Sequence, residues 1–254
     1  MTNNKKLKFA KNFYRFTIAK EKKYSKFFSN VLTSQINLFS ENYKKNIGVE
    51  NAINKIDAEN LHNILKALYY EVASEHGPRV RKSIIEQKDN TVIGFSEKMI
   101  NLMKSFYEID ILNHALDITE TTKNKLRIIM IKAEQEGLSI DSTVALINSS
   151  MLTEIRARRI ARTEIVTAAN VAGKIAAKDT GLKLRKEWLS TMDNRTRKHH
   201  INIDGAIVGI DELFNLGNGV LMDTPGDRGG KNGQLKTPAK EVVNCRCTTL
   251  YLTD

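Results

Sequence analysis

Cys245, Cys247, His199 and His200 are the residues of this chain best suited to hold a metal ion. An extended backbone would put both thiols of a Cys-x-Cys pair on one side and Arg246 on the other, because the strand period is two. Zinc takes four tetrahedral ligands at about 2.0–2.3 Å, so His199 and His200 would have to arrive from distant sequence to complete the set. The competing reading is a pair of small thiols packed beneath a sheet. One intervening residue is poor geometry for a mutual disulfide. A reduced compartment during assembly, or a metal, therefore fits better than an oxidised scaffold.

The densest polar cluster is Asp193, Arg195, Arg197, His199, His200 and Asp204. Its residue types could support metal-assisted hydrolysis of phosphodiesters, with acidic ligands and a histidine base, but no paired acidic motif or His-x-His pattern accompanies them. A charged turn whose Asp193 caps backbone groups fits the same residues. So does contact of Arg195, Arg197 and Lys198 with phosphates or acidic groups of a neighbouring subunit. Arg185, Ser190, Thr191 and Glu212 or Glu241 are the residue types of an ADP-ribosyl or nucleotidyl transferase, at loose spacing. The segment Gly229 to Gly233 lacks the spacing of a phosphate loop. The expectation is a chain that is not an enzyme, with a metal-dependent nuclease or a nucleotidyl or ADP-ribosyl transferase as the alternative.

Arg156, Arg158, Arg159 and Arg162 share one helical stretch and suit non-specific contact with the phosphates of double-stranded DNA, salt-dependent and sequence-independent. Ion pairs with Glu154, Glu164 and other acids are the competing use. Trp188, the single tryptophan, sits among Leu184, Leu189 and Met192 and is expected in a core rather than as a stacking platform.

The elements that must position these residues follow from periodicity. Apolar residues recur at three- and four-residue steps from Lys8 to about Tyr43, through Tyr24, Phe27, Phe28, Val31, Leu32, Leu38 and Phe39, and predict a helix with a basic polar side. Its aromatic stripe needs a cover: its own bundle, a partner subunit or a membrane surface. Further helices are predicted over Asp57 to Glu75, stopped by His76-Gly77-Pro78, over Phe95 to Leu116 after a break at Gly94, and over Thr121 to Glu136. A short one over Ser139 to Ser149 has Asp141 or Ser142 as its cap. The last, about Leu152 to Lys178, carries small residues along Val166, Ala169, Gly173 and Ala176, and Gly181 ends it. Beyond it, apolar segments at 182–189, 207–210 and 242–252 alternate with Gly-, Asp- and Asn-rich turns, with Asp211 to Phe214 a helical turn or loop and 224–241 an extended loop.

The chain has 254 residues and a formal net charge of +11, which favours an acidic partner. Residues 1–50 carry eleven basic against three acidic residues, and residues 151–200 twelve against five. No run of 18 apolar residues suggests a membrane span, and the N-terminus does not read as a secretory signal.

Residues 158–249 resemble the Mu F-like, SPP1 gp7-like family of phage head morphogenesis or minor head proteins. The matching pieces are Arg162-Thr163-Glu164 with Ala169-Asn170, the run Lys186 to His200, Asp204-Gly205, Pro225-Gly226-Asp227 and Val243-Asn244-Cys245-Arg246-Cys247-Thr248. The resemblance implies an α+β fold: a helical N-terminal region, a long helix, and a small mixed or antiparallel β domain. It marks Trp188, Asp193, His200, Asp204, Gly205, Asn244, Cys245 and Cys247 as structural hallmarks. It implies a virion protein inside the head near the portal, present in the host cytoplasm during assembly and associated with head morphogenesis or with genome delivery. The implied partners are the portal protein, the major capsid or scaffolding protein and packaged DNA. The expected division is a basic attachment region over 1–150, with possible transient membrane contact, and the family domain over 151–254.

Overall fold

The computed structural model describes residues 3–87, 97–151, 153–191, 193–230 and 234–253, with the backbone alone at residues 3 and 97–107. Among the described residues six helices come first: α1 (Asn3–Lys44), α2 (Val49–Asn54), α3 (Glu59–Ile85), α4 (Glu97–Gln135), α5 (Ile140–Ser150) and α6 (Thr153–Asp179). Short elements follow: β1 (Leu184–Leu189), α7 (Lys198–Asn202), β2 (Ile207–Gly209), β3 (Phe214–Asn215), β4 (Leu221–Met222), α8 (Ala239–Val242) and β5 (Thr248–Thr253). Among the described residues every strand pairing is antiparallel: β1 lies between β2 and β5, and β3 pairs with β4. The architecture is α+β, helices first and small antiparallel sheets after.

Several boundaries differ from the periodicity reading. The stop expected at His76-Gly77-Pro78 does not occur, and Pro78 lies inside α3. Val72 and Ala73 before it, and Val80 and Ile84 after it, are all buried, so packing carries the helix through a residue that lacks a backbone donor. The two helices expected over 95–136 are one. Between them, the hydroxyls of Thr121 and Thr122 donate to the carbonyls of Asp117 and Ile118 at 2.8 and 3.2 Å, so the linking residues satisfy themselves within helical geometry. The break expected at Gly94 and the start at Phe95 lie outside the described residues, as do the side chains of Met99, Leu102, Met103, Phe106 and Tyr107. Ser139, not Asp141 or Ser142, caps α5, its hydroxyl accepting from the Ser142 amide at 3.2 Å. The C-terminal apolar segment is not one extended run: α8 ends at Val242 and β5 begins at Thr248. On α1, Phe28, Leu32 and Phe39 are buried, while Phe27 and Leu38 face outward.

The chain forms two compact units from interleaved stretches: Met1–Lys22, Leu68–Phe106 and Arg159–Asp254 in one, and Lys23–Ala67 and Tyr107–Arg158 in the other. The second unit is helical, with a core of Ile36, Phe39, Ile53, Ile56, Leu126, Met130 and Ile147. Burial drives this packing, and helical spacing decides which residues take part. In the first unit, α6 is buried on nearly every side between Ala161 and Asn170, with Arg162 the half-buried exception. A Cβ placed at Gly173 would stand 3.5 Å from both Tyr251 and Val80. The small residues therefore let β5 and α3 approach the helix axis.

Candidate metal centre

The site rests on β1. Its alternate residues Leu184, Lys186 and Trp188 face one way and are buried. Trp188 is at 0% exposure, with its ring edge-on to His200 (5.2 Å between centroids) and to Phe214 (5.3 Å). Phe214, Leu216, Met222, Val242, Cys245 and Cys247 complete this small core. Lys186 is buried too, a position its residue type does not advertise. Its ammonium meets the Asp223 carbonyl at 2.6 Å and carboxylate at 2.5 Å and lies 5.1 Å from the Phe214 centroid. Burial lowers the Lys186 pKa, and the Asp223 charge opposes that shift.

The turn after β1 is tied to the C-terminal segment at several points. Trp188 Nε1 donates to Ser190 Oγ at 3.1 Å, and Ser190 in turn donates to the His200 carbonyl. Thr191 Oγ1 reaches the Arg246 carbonyl at 2.7 Å, and Arg197 reaches the Val243 carbonyl at 2.5 Å. Asp204 accepts from the Ser190 amide at 2.7 Å, and Gly205 holds φ 76°, next to Glu187. Asp193 accepts from the Arg195 amide, Thr196 and Arg246. Burial alone would raise its pKa, but these bonds and the Arg246 charge hold it below the ordinary carboxylate value.

These ties bring His200 to the cysteines. His200 Nδ1 lies 3.7 Å from Cys245 Sγ and 3.6 Å from Cys247 Sγ, with all three residues at 1–2% exposure. Their ligand atoms lie within 4.8 Å of one another, a grouping able to hold a metal ion. The cysteines are free thiols. Cys247 is pulled well below its ordinary pKa, chiefly by the hydrogen bond from Cys245 and, against burial, by His200. Thiolate is the form that binds metal. His199 is not in the group. Its Nε2 lies 3.3 Å from Glu241 Oε1, while Glu241 Oε2 lies 3.3 Å from His200 Nε2.

α6 supplies the frame. Asn170 donates to the carbonyls of Pro225 (3.0 Å) and Cys247 (3.1 Å), and its own oxygen accepts from the Thr249 amide (3.0 Å). Thr167 donates to the Gly226 carbonyl at 3.0 Å, and Thr163 accepts from the Asn244 amide at 3.1 Å. Asn244 is itself held at φ 62°. Buried Glu164 joins Tyr69 (3.0 Å) and Arg228 (2.5 Å).

The basic residues separate by environment. Arg156 is buried, donating to Thr122 Oγ1 at 2.7 Å and the Ile118 carbonyl at 2.8 Å, and burial lowers its pKa to about 10. Arg162 makes a two-point contact with Glu21 (2.7 and 2.9 Å) and reaches Asn244. Arg197 is half-buried on the Val243 carbonyl. Arg158, Arg159, Arg195 and Lys198 are exposed. Sequence reasoning missed the place of Glu241 beside the site; its signal was a lone carboxylate four residues before Cys245.

Comparison with known proteins gives three similar chains. An NAD(+)–arginine ADP-ribosyltransferase of Enterococcus faecalis is 36% identical over 39% of this chain and 19% of its own. Minor head protein GP7 of Bacillus phage SPP1 is 34% identical over 41% of this chain and 32% of its own. The uncharacterized protein YqbB of Bacillus subtilis is 28% identical over 50% and 40%. The chain thus spans well under half the length of each. No solved structure matches it. The expectation of a chain that is not an enzyme is corrected here. A buried His/Cys/Cys group that can hold a metal, and a segment shared with a protein named as a transferase, contradict a flat exclusion of catalysis. The family model described as Phage Mu protein F like protein matches residues 124–250, half of the sequence, and the chain belongs to that family.

Proposed function

We propose that this protein is a minor head protein that acts in phage head morphogenesis, inside the virion near the portal, and that it contacts the portal and packaged DNA. The family match over residues 124–250 carries this reading, and the similarity to a minor head protein supports it. The exposed cations Arg158, Arg159 and Lys198 are the groups that would meet phosphates, together with Arg195, whose guanidinium also stands 3.7 Å from the Asp193 carboxylate. A reconstruction of the assembled head without imposed icosahedral symmetry tests the location. Density for this chain against the portal is expected; its absence from the particle would overturn the proposal.

The ion suited to His200, Cys245 and Cys247 is zinc, which takes thiolate and imidazole ligands together. Tetrahedral geometry at ordinary zinc bond lengths separates a nitrogen from a sulfur ligand by about 3.6 Å. The two Nδ1 to Sγ distances, 3.7 and 3.6 Å, fit that edge. Elemental analysis of the purified chain should find about one zinc per molecule. A metal-free protein whose melting is unchanged by chelator would remove zinc from the account.

The transferase relative supports a second reading, in which the shared segment takes part in chemistry on NAD(+). Incubation with labelled NAD(+) and an arginine acceptor tests it, and transfer above a heat-treated control is the supporting result.

A further inference from the structure

The feature that the zinc reading leaves unused is Glu241. It stands on α8, a single helical turn entered from Pro238, and its side chain is 1% exposed. Oε1 accepts from Asn218 Nδ2 at 3.2 Å and faces His199 Nε2 at 3.3 Å. Oε2 faces His200 Nε2 at 3.3 Å, a close contact short of an aligned hydrogen bond, and neither of these buried atoms has a hydrogen-bond partner. A buried carboxylate and a buried ring nitrogen left unsatisfied are costly. A proton on Nε2, brought into line with Oε2, would relieve both.

We propose that Glu241 is a positioning residue that holds His200 as its Nε2–H tautomer, so that the Nδ1 lone pair is presented to a zinc ion shared with Cys245 and Cys247. The proposal rests on the zinc reading. The geometry excludes Glu241 as a ligand of the same ion, because it meets the ring at the nitrogen remote from the sulfurs. A carboxylate behind a ligating histidine fixes ring and tautomer, and its loss typically weakens metal binding about 10–100-fold. His199 and Asn218 then orient the carboxylate through its other oxygen. His199 serves as an outer support of the site, and its distance from the Cys/Cys/His group follows from that role.

The test uses the full chain, with a chromophoric chelator competing for zinc, on wild type, Glu241→Gln and Cys247→Ser. Wild type should bind one equivalent and Cys247→Ser none. Glu241→Gln should keep the stoichiometry with affinity weakened about 10–100-fold. An unchanged affinity would overturn the positioning role while leaving the zinc reading intact; no binding by wild type would overturn the zinc reading and the positioning role with it. Nitrogen-15 NMR of His200 decides the tautomer in wild type without any variant, and so covers the case in which Glu241→Gln does not fold. A proton on Nε2 with and without metal supports the proposal. A proton on Nδ1 in the metal-free protein, or cadmium coupling to Nε2, sinks it.

Discussion

Arg246, the residue between the two cysteines, directs its guanidinium onto Asp193: Nη2 donates to Oδ1 at 2.9 Å and Nη1 stands 2.6 Å from Oδ2. The alternation of a Cys-x-Cys segment thus has two uses. The thiols face His200, and the arginine, 9% exposed at its side chain, locks the segment to the turn after β1.

Replacing Asp193 with Ala should leave that arginine without its carboxylate. The expected loss is about 1–3 kcal/mol of stability, read as a lower denaturant midpoint. Asp193→Asn, which keeps one acceptor, should lose less. If both variants unfold with the wild type, the lock has no energetic weight.

Trp188 supplies the edge against which the His200 ring is set. Trp188→Ala should cost about 3–5 kcal/mol. In the wild type, tryptophan emission should be that of a water-excluded indole and shift red on unfolding. Native emission at the position of free tryptophan would contradict the burial.

His76 is buried, stacked on Phe16 at 5.5 Å and edge-on to Phe13 at 5.4 Å. Desolvation, and then the Arg79 charge, lower its pKa to about 3. An unfolded histidine titrates near 6.5, so between pH ~6.5 and ~3 the unfolded chain binds a proton that the folded one refuses. Stability should therefore fall on acidification through that window, by up to about 1.4 kcal/mol per pH unit from this group. Above it the contribution is constant. His76→Leu should flatten the profile of melting temperature against pH, and an unaltered slope would remove His76 as its source.

Gly173 separates two consequences of close packing. Alanine there meets Tyr251 and Val80 at 3.5 Å, ordinary contact, and helix propensity favours it by up to about 1 kcal/mol. Leucine would overfill the same space and cost about 1–3 kcal/mol. Thermal melts of the two variants should move in opposite directions.

The arginines of α6 should divide by role. Arg156→Ala removes two hydrogen bonds from a charged, buried donor and should cost about 2 kcal/mol or more. Arg158→Ala with Arg159→Ala should stay within about 0.5 kcal/mol each while weakening duplex binding in mobility shifts at ~50 mM salt. Equal binding by the double variant would exclude these two residues from a DNA contact.

Much of this was legible locally. Three- and four-residue spacing located the long helices, because that spacing is the signature of a buried stripe. The run of residue types from Trp188 to Cys247 indicated the family, an α+β fold and a Cys-x-Cys pair suited to metal. Other boundaries were hidden because long-range burial outweighed local preference, as at Pro78 in α3. The short α2 and α7 fell below the length at which periodicity is readable.

Which side chains share the site is a long-range matter. His200 and not His199 meets the cysteines, because the bonds from Ser190, Thr191 and Arg197 fix the turn's approach to the C-terminal segment, and adjacent residues of a helical turn face different ways. Glu241 and Lys186 have exposed-type side chains that acquire a buried role only when their partners arrive from elsewhere in the chain. Residue type, spacing and charge are local properties and stand in the sequence. The pairing of Asp193 with Arg246, of Asn170 with the chain's end, and of His200 with two thiols was decided by tertiary structure, since each joins atoms that covalent geometry leaves far apart.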